Sequence, residues 1–275
     1  MKLQKIKPAE IHTFAVDADI IAYRCAAACD GKEPDELLQT IDGFIDNVVR
    51  ETQVSNLAMF LSGKKNFRYD MAKTKPYKGN REKIIRPDYL GDAKDYIESC
   101  YGGYIEKNYE ADDCIASFMI QNEGVAHAGI DKDIRQVEGW HYNFVKKHWE
   151  HTNEEDSILK LYRQVCMGDS SDHIPGLPRI GEKKAEKAIQ YYESARDDAI
   201  ALYKEIMWLN KEMLSHFKGD FDSKVMQFFE EQYALISMVE SLDIPSDICI
   251  EHIVVPVFAE QEGFKGVEDK EIASC

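Results

Sequence analysis

Apolar residues follow two different rhythms along the chain. Thr13 to Val16 (TFAV) form a short apolar run closed by Asp17, and Asn56 to Leu61 (NLAMFL) form a second. Between them, Leu37, Leu38, Ile41, Phe44, Ile45, Val48 and Val49 fall at helical spacing over residues 35–52, which places one apolar face toward a core. A third, weaker run, Gly103 to Ile105, follows a helix predicted from Asp88 to Cys100. A helix from Asp112 to Gln121 then leads to a small-residue strand, Val125 to Ile130. Short apolar strands alternating with helices of ten or more residues predict βαβ units, and so an α/β fold with a mostly parallel central sheet flanked by helices. Beyond about residue 155 the pattern turns helical only: Ile158–Met167, Lys183–Tyr192, Ala195–Leu214 and Phe221–Leu242. The expected organisation is an α/β core over 1–155 and a helical region over 156–275, with no firm pattern in the last thirty residues.

Acidic residues gather at the ends of these elements. Asp17 closes the first strand. Glu110, Asp112 and Asp113 stand in YEADD at a helix start, Asp131 and Asp133 in GIDKD after the next strand, and Asp169 and Asp172 in MGDSSD at a helix end. Strand C-termini of a parallel sheet share one edge, where ligands bind at the point of reversed strand order, so four sequence-distant acidic pieces are expected in one cleft. Carboxylates crowded together repel and take up protons unless a cation is present. An all-oxygen donor set selects hard cations, Mg²⁺ or Mn²⁺, and two such ions about 3.5–4 Å apart serve in-line displacement at a phosphodiester. Taken singly, each acid is as easily a helix cap or a solvated charge.

Composition first opposes and then supports that chemistry. With 50 acidic and 34 basic residues the chain carries a net charge of −16, and its pI is near 5.0, which argues against a polyanionic partner while charge is treated as uniform. Residues 63–86, GKKNFRYDMAKTKPYKGNREKIIR, reverse the sign. Lys64, Lys65, Arg68, Lys73, Lys75, Lys78, Arg81, Lys83 and Arg86 stand against Asp70 and Glu82, a local +7. Such asymmetry is the footprint of a polyanion, and Phe67, Tyr69 and Tyr77 within it are placed to stack on bases of a single strand. After MGDSSD comes HIPGLPRIGEKKAEKAI, where Gly176 and Gly181 bracket Leu177 and Ile180 and a helix opens at Glu182 or Lys183. This is a helix-hairpin-helix over about 168–192, which holds duplex DNA by its backbone. Gly176 and Gly181 allow close approach, the amides of Ile180 and Gly181 point outward, and Arg179, Lys183 and Lys184 add charge.

In this order, Asp17, PYKGNR (76–81), YEADD, GIDKD and MGDSSDHIPGLPRIGEKKAEKAI (167–189) resemble the 5′-nuclease superfamily, which includes flap endonucleases and the 5′-nuclease domain of DNA polymerase I. The length and the absence of a polymerase domain resemble most the stand-alone bacteriophage 5′→3′ exonucleases. The resemblance implies a PIN-like core whose eight acids (Asp17, Glu110, Asp112, Asp113, Asp131, Asp133, Asp169 and Asp172) hold two divalent metals. It implies that Lys78, Arg81 and Arg24 contact the scissile phosphate, that residues 63–90 form a basic helical arch, and that a K⁺ ion sits on backbone oxygens of the hairpin. Implied partners are duplex DNA with a 5′ end, flap or gap, and RNA–DNA hybrids. One position departs from the pattern: Ser62 or Gly63 stands where the family carries a further aspartate after the second strand. A PIN-type ribonuclease would lack the hairpin, and a non-catalytic DNA-binding protein would not need the acids.

The remaining candidates are bland. Seven scattered cysteines without a Cys-x-x-Cys pair suit reduced thiols of a cytoplasmic protein, and Cys25 and Cys29 fit packing better than zinc. His141, His148 and His151 lie among aromatics and fit no zinc spacing. No secretory segment is expected at the N-terminus, and no apolar run approaches the ~18 residues that cross a membrane.

Overall fold

The computed structural model describes residues 2–4, 7–83 and 85–253. A seven-stranded sheet forms the centre, in the order β1-β6-β5-β4-β2-β3-β7. Its inner strands are β2 (Thr13–Asp17), β3 (Asn56–Phe60), β4 (Val125–Gly129) and β5 (Gly139–Asn143), all paired in parallel. Every residue of β2 and β4 is buried, as expected for strands covered on both faces. The edges are antiparallel: β6 (His148–Thr152) and β1 (Lys2–Gln4) on one side, β7 (Ile250–Glu251) on the other.

Around the sheet lie α1 (Ala18–Ala28), α2 (Pro34–Thr52), α4 (Leu90–Cys100) and α5 (Ala111–Gln121). Helix α2 starts with Pro34 in its first turn and stops where Gln53 turns left-handed; of its predicted stripe it buries Leu37, Ile41, Ile45 and Val49, while Phe44 and Val48 are half-buried and Leu38 is exposed. Cys25 and Cys29 pack in the same core. The helical layer comprises α6 (Glu154–Met167), α7 (Glu182–Ala188), α8 (Ala195–Leu209) and α9 (Phe221–Ile236), around a second core of Tyr203, Met207, Phe228 and Phe229. Asn153 and Asp220 cap α6 and α9 by accepting from Asp156 N and Ser223 N at 2.7 and 2.8 Å.

Four expectations are corrected. Gly103–Ile105 is no strand; Tyr104 makes a single bridge to Phe60. The aromatic histidine segment forms the β5–β6 hairpin, whose alternation was masked because both faces carry aromatics, Trp149 buried and Trp140 against His151. The helical arch over 63–90 is absent among the described residues. That stretch holds only α3 (Arg68–Met71) and a 3₁₀ turn, Gly79–Lys83. Pro76 and Gly79 interrupt any longer helix, and the segment is tied down by its side chains instead. Finally, residues 237–251 do not continue α9. The chain leaves α9 and returns to the core sheet, so that Leu242 and Ile244 pack with α5, across the expected division at 155/156. Residues 254–275 of the unpatterned tail lie outside the described residues.

Candidate active site

Strand β2 has β3 on one side and β4 on the other, so the sheet reverses its order beside β2, and ligands bind at that edge of such sheets. Asp17 ends β2 and caps α1, accepting from Ile20 N at 3.2 Å. Gly129 at the end of β4 lets the strands close over it, since a Cβ there would lie 2.3 Å from the His127 ring. Asp131 and Asp133 follow directly, with Asp133 N donating to Asp131 Oδ1 at 2.7 Å. From the helical layer, Asp169 and Asp172 arrive on the turn after α6, where Asp169 accepts from Ser171 N and Oγ at 2.7 and 2.6 Å.

The four pieces lie close enough to act on one another's charge. Burial pushes the Asp17 carboxyl up to about 8, aided by Asp19 and Asp131. Burial raises Asp112 well above the carboxylate range, with Asp131, Asp17, Glu110 and Asp113 adding repulsion. Asp131 is raised by burial, then by Asp133, Asp172 and Asp169. Asp169 moves down despite burial because the Ser171 hydroxyl and amide and the Asp172 amide donate to it.

Cations divide these acids into two groups. Lys78 Nζ pairs with Glu110, with Asp172 3.7 Å away. Arg81 pairs with Asp172, and the Tyr77 hydroxyl lies 2.8 Å from both Glu110 and Asp172, with one proton to share between them. Lys160 meets Asp133 at 3.2 Å. Although burial opposes the shift, Lys78 holds Glu110 below the usual range and is itself raised by Glu110 and Asp172. Burial leaves Asp172 raised despite its two cations. Asp17, Asp112 and Asp131 make no ion pair among the described residues. These three carboxyls lack a countercharge, and oxygen donors of this kind suit a hard divalent cation. As the side chains stand, no group of three or more His, Cys, Asp or Glu among the described residues is gathered tightly enough to hold a metal.

No family model matches the chain. Over 212 residues, 65% of its length, it is 30% identical to DNA polymerase I of Bacillus subtilis (strain 168), a match covering 23% of that protein. It is 27% identical over 179 residues to a 5′-3′ exonuclease of the same organism, covering 56% of this chain and 59% of that one. The chain belongs to the 5′-nuclease superfamily. A structure of the bacteriophage T5 flap endonuclease, described as a complex with DNA and metal ions, shares the fold of this superfamily member. Its TM-score is 0.54 at 15% identity, over 82% of this chain and 98% of that one. The chain spans only 23% to 46% of the first curated relatives it matches.

Several residues expected at the site of this 5′-nuclease relative are elsewhere engaged. Asp113 is fully buried and holds Arg68 through two bonds of 2.7 Å, while also accepting from Glu110 N and Val239 N at 3.2 and 3.0 Å. Its lone pairs are spent on the fold, so it is no metal ligand. Arg68 is equally buried and unable to reach DNA; its other bonds go to the carbonyls of Leu235 and Ser237. Tyr77 is buried and hydrogen-bonded, so it cannot stack on a base; Tyr69, edge-on to it at 5.4 Å, is the exposed ring. Gly176 behaves as expected, with φ +57 and a hypothetical Cβ 2.3 Å from Gly168 N. Gly181 does not: it is extended at φ −117 and has open space around it, and the Ile180 amide donates to Leu177 O. Arg179, Lys183 and Lys184 are exposed around it, as are Lys64 and Lys65 near the cleft-facing end of β3. Arg24 is half-buried two turns into α1 and makes no ion pair among the described residues.

Sequence reasoning missed Asp19. It accepts from Ser62 N at 3.0 Å and pairs with Lys94 at 2.6 Å, while Ser62 Oγ accepts from Ala111 N at 3.0 Å. A carboxylate therefore stands beside the position where Ser62 replaces the family's aspartate. The Asp17-Ala-Asp19 spacing was the available signal.

Proposed function

We propose that this chain is a divalent-metal-dependent 5′→3′ exonuclease that hydrolyses phosphodiester bonds from the 5′ ends of duplex DNA. What supports the reading is the nearness of four acidic segments and Lys78 at the carboxyl edge of the parallel strands, next to the tight turn at Gly176 that leads into α7. Relatives bearing the names 5′-3′ exonuclease and flap endonuclease support it. Asp17, Asp112 and Asp131, with Glu110, Asp133, Asp169 and Asp172 around them, would hold two Mg²⁺ or Mn²⁺ ions. When bound, such cations supply activation of a water and relief of charge on the leaving 3′ oxygen.

The chain's own residues do the rest. Lys78, Arg81 and Arg24 bind the scissile phosphate and offset its charge as the attacking oxygen adds in line. Exchange of Lys78 from Glu110 to the phosphate keeps this half-buried cation paired throughout. Gly176, Arg179, Lys183 and Lys184 grip the duplex backbone, with a K⁺ ion on the hairpin's carbonyls. Lys64 and Lys65 draw in the 5′ strand. Removal of flaps or RNA primers is a related capacity of the same site, and phage DNA replication is a setting that fits it.

The test is digestion of 5′-labelled blunt, nicked, gapped, flapped and RNA–DNA substrates in Mg²⁺ or Mn²⁺. Asp112→Asn should abolish digestion while leaving duplex binding in EDTA within a few-fold. Absence of digestion of every substrate by the wild-type protein would overturn the reading.

A further inference from the structure

Lys78 does not float over the cleft; the chain that carries it is bolted down at both ends. Downstream, Lys78 N donates to Asp172 O at 2.9 Å, and Asn80 Nδ2 to Ser170 O at 2.9 Å. Upstream, the anchor is Glu231 on α9, a carboxylate only 3% exposed. Its Oε1 accepts from Lys73 N and Thr74 N at 2.5 and 2.7 Å, and its Oε2 from Thr74 Oγ at 2.5 Å. Among the described residues it makes no ion pair. A buried carboxylate is costly unless hydrogen-bonded, and all three donors here come from one stretch, four to five residues before Lys78. Between the two anchors Lys78 itself is left-handed, at φ +53, a conformation that a non-glycine residue keeps only where its surroundings dictate it.

The next residue on α9 holds the other DNA-facing element. Gln232 is fully buried, and its Oε1 accepts from Gly176 N at 3.0 Å, at the tight crossing of the hairpin. Adjacent residues of one rigid helix therefore grip the strap of residues 72–81 and the hairpin.

We propose that Glu231 and Gln232 are positioning residues: Glu231 sets Lys78 over the carboxylates, Gln232 sets the hairpin, and α9 fixes the spacing between the reacting phosphate and the duplex grip. The kinetic part of this rests on the nuclease reading above; the anchoring part does not. A helix places the two side chains from one backbone segment, so neither DNA-holding element moves without the other. Displacement of a positioning group by about 1 Å is enough to cost on the order of 100-fold in rate.

The experiment combines single-turnover cleavage of a nicked duplex, Kd for that duplex in EDTA, and amide hydrogen exchange of the DNA-free protein. Glu231→Ala is expected to lower the single-turnover rate 10- to 100-fold with Kd within about threefold, and to speed exchange over residues 72–81 but not 168–181. Glu231→Gln keeps an accepting oxygen for the two amides, and it should recover the rate to within about fivefold. Gln232→Ala should show the opposite split: Kd weakened about tenfold, the rate within about threefold, and faster exchange over 168–181. Should Glu231→Ala not fold, Thr74→Val removes one of the three bonds and should lower the rate about three- to fivefold with Kd unchanged. Unchanged exchange over 72–81 in Glu231→Ala, or equal losses of rate and affinity in both variants, overturns the proposal. If the wild-type protein cleaves nothing, the nuclease reading fails, and the exchange pattern alone decides the anchoring.

Discussion

Replacing Arg68 with alanine separates a structural charge from a DNA-binding one. Its guanidinium donates twice to Asp113 at 2.7 Å, to Leu235 O at 3.1 Å and to Ser237 O at 2.8 Å, in a fully buried setting. Removing it leaves the Asp113 charge with only the amides of Glu110 and Val239, and two carbonyls without a donor. Breaking a buried pair from one side costs about 3–5 kcal/mol. For a chain of this length each kcal/mol moves the melting temperature by about 2 °C, so Arg68→Ala should melt about 6–10 °C lower. The assay is thermal denaturation followed by circular dichroism. The double variant Arg68→Met/Asp113→Leu is run beside it and should recover most of the loss, because no charge remains unpaired. A salt titration of duplex binding completes the test: a phosphate contact would contribute about one to the slope, and Arg68→Ala should leave that slope unchanged. Melting within about 2 °C of wild type together with a slope reduced by about one would refute the structural assignment.

Four further outcomes follow from the same geometry. His141, buried and pushed down to about 4 from its ordinary 6.5, is bound to fewer protons folded than unfolded between those values. Stability is therefore complete above pH 6.5 and falls by on the order of 3 kcal/mol toward pH 4, readable as a shift in urea midpoint that a folded His141→Gln variant should lack. Asp17 has the opposite sign: raised from 3.8 to about 8, it stabilises the metal-free fold fully below 3.8 and loses that contribution as pH rises from 3.8 to about 8, so Asp17→Asn in EDTA should flatten the fall in stability across that range. Gly176→Ala should weaken duplex binding at least about tenfold and destabilise the fold, since its Cβ would meet backbone at 2.3 Å; Gly181→Ala should melt within about 2 °C of wild type. Lys64→Ala/Lys65→Ala, at exposed positions, should leave melting unchanged and lower the salt slope of DNA binding by up to about two.

The acids and the hairpin were legible because their signals are local. Asp17 at a strand end, YEADD at a helix start and MGDSSD before a hairpin each announce their place within a few residues; parallel strands carry Asp17 and the Asp131 segment to one edge, and α5 and the turn after α6 bring the others. The antiparallel edges were not legible. Residues 139–152 are aromatic on both faces, and β7 spans two residues, too few for any period. The basic stretch was misread in part because charge says nothing about partner: Arg68 and Lys64 look alike in sequence, yet one meets a buried aspartate and the other meets solvent. Glu231 was invisible for the same reason, as its partners are backbone amides over 150 residues away.

The return of the chain from α9 to β7 has a mechanical meaning. Residues 239–242 are stitched to α5 by Ser117 and Gln121, and His252 N closes onto Ser55 O. The helical layer is thereby an insertion, tethered at both ends to the sheet, rather than an appendage on one leash. A body held by two tethers can rock about the line joining them but cannot swivel freely. Cutting the chain after residue 155 would remove an edge strand along with the layer, so the sheet and the helices stand or fall as one construction.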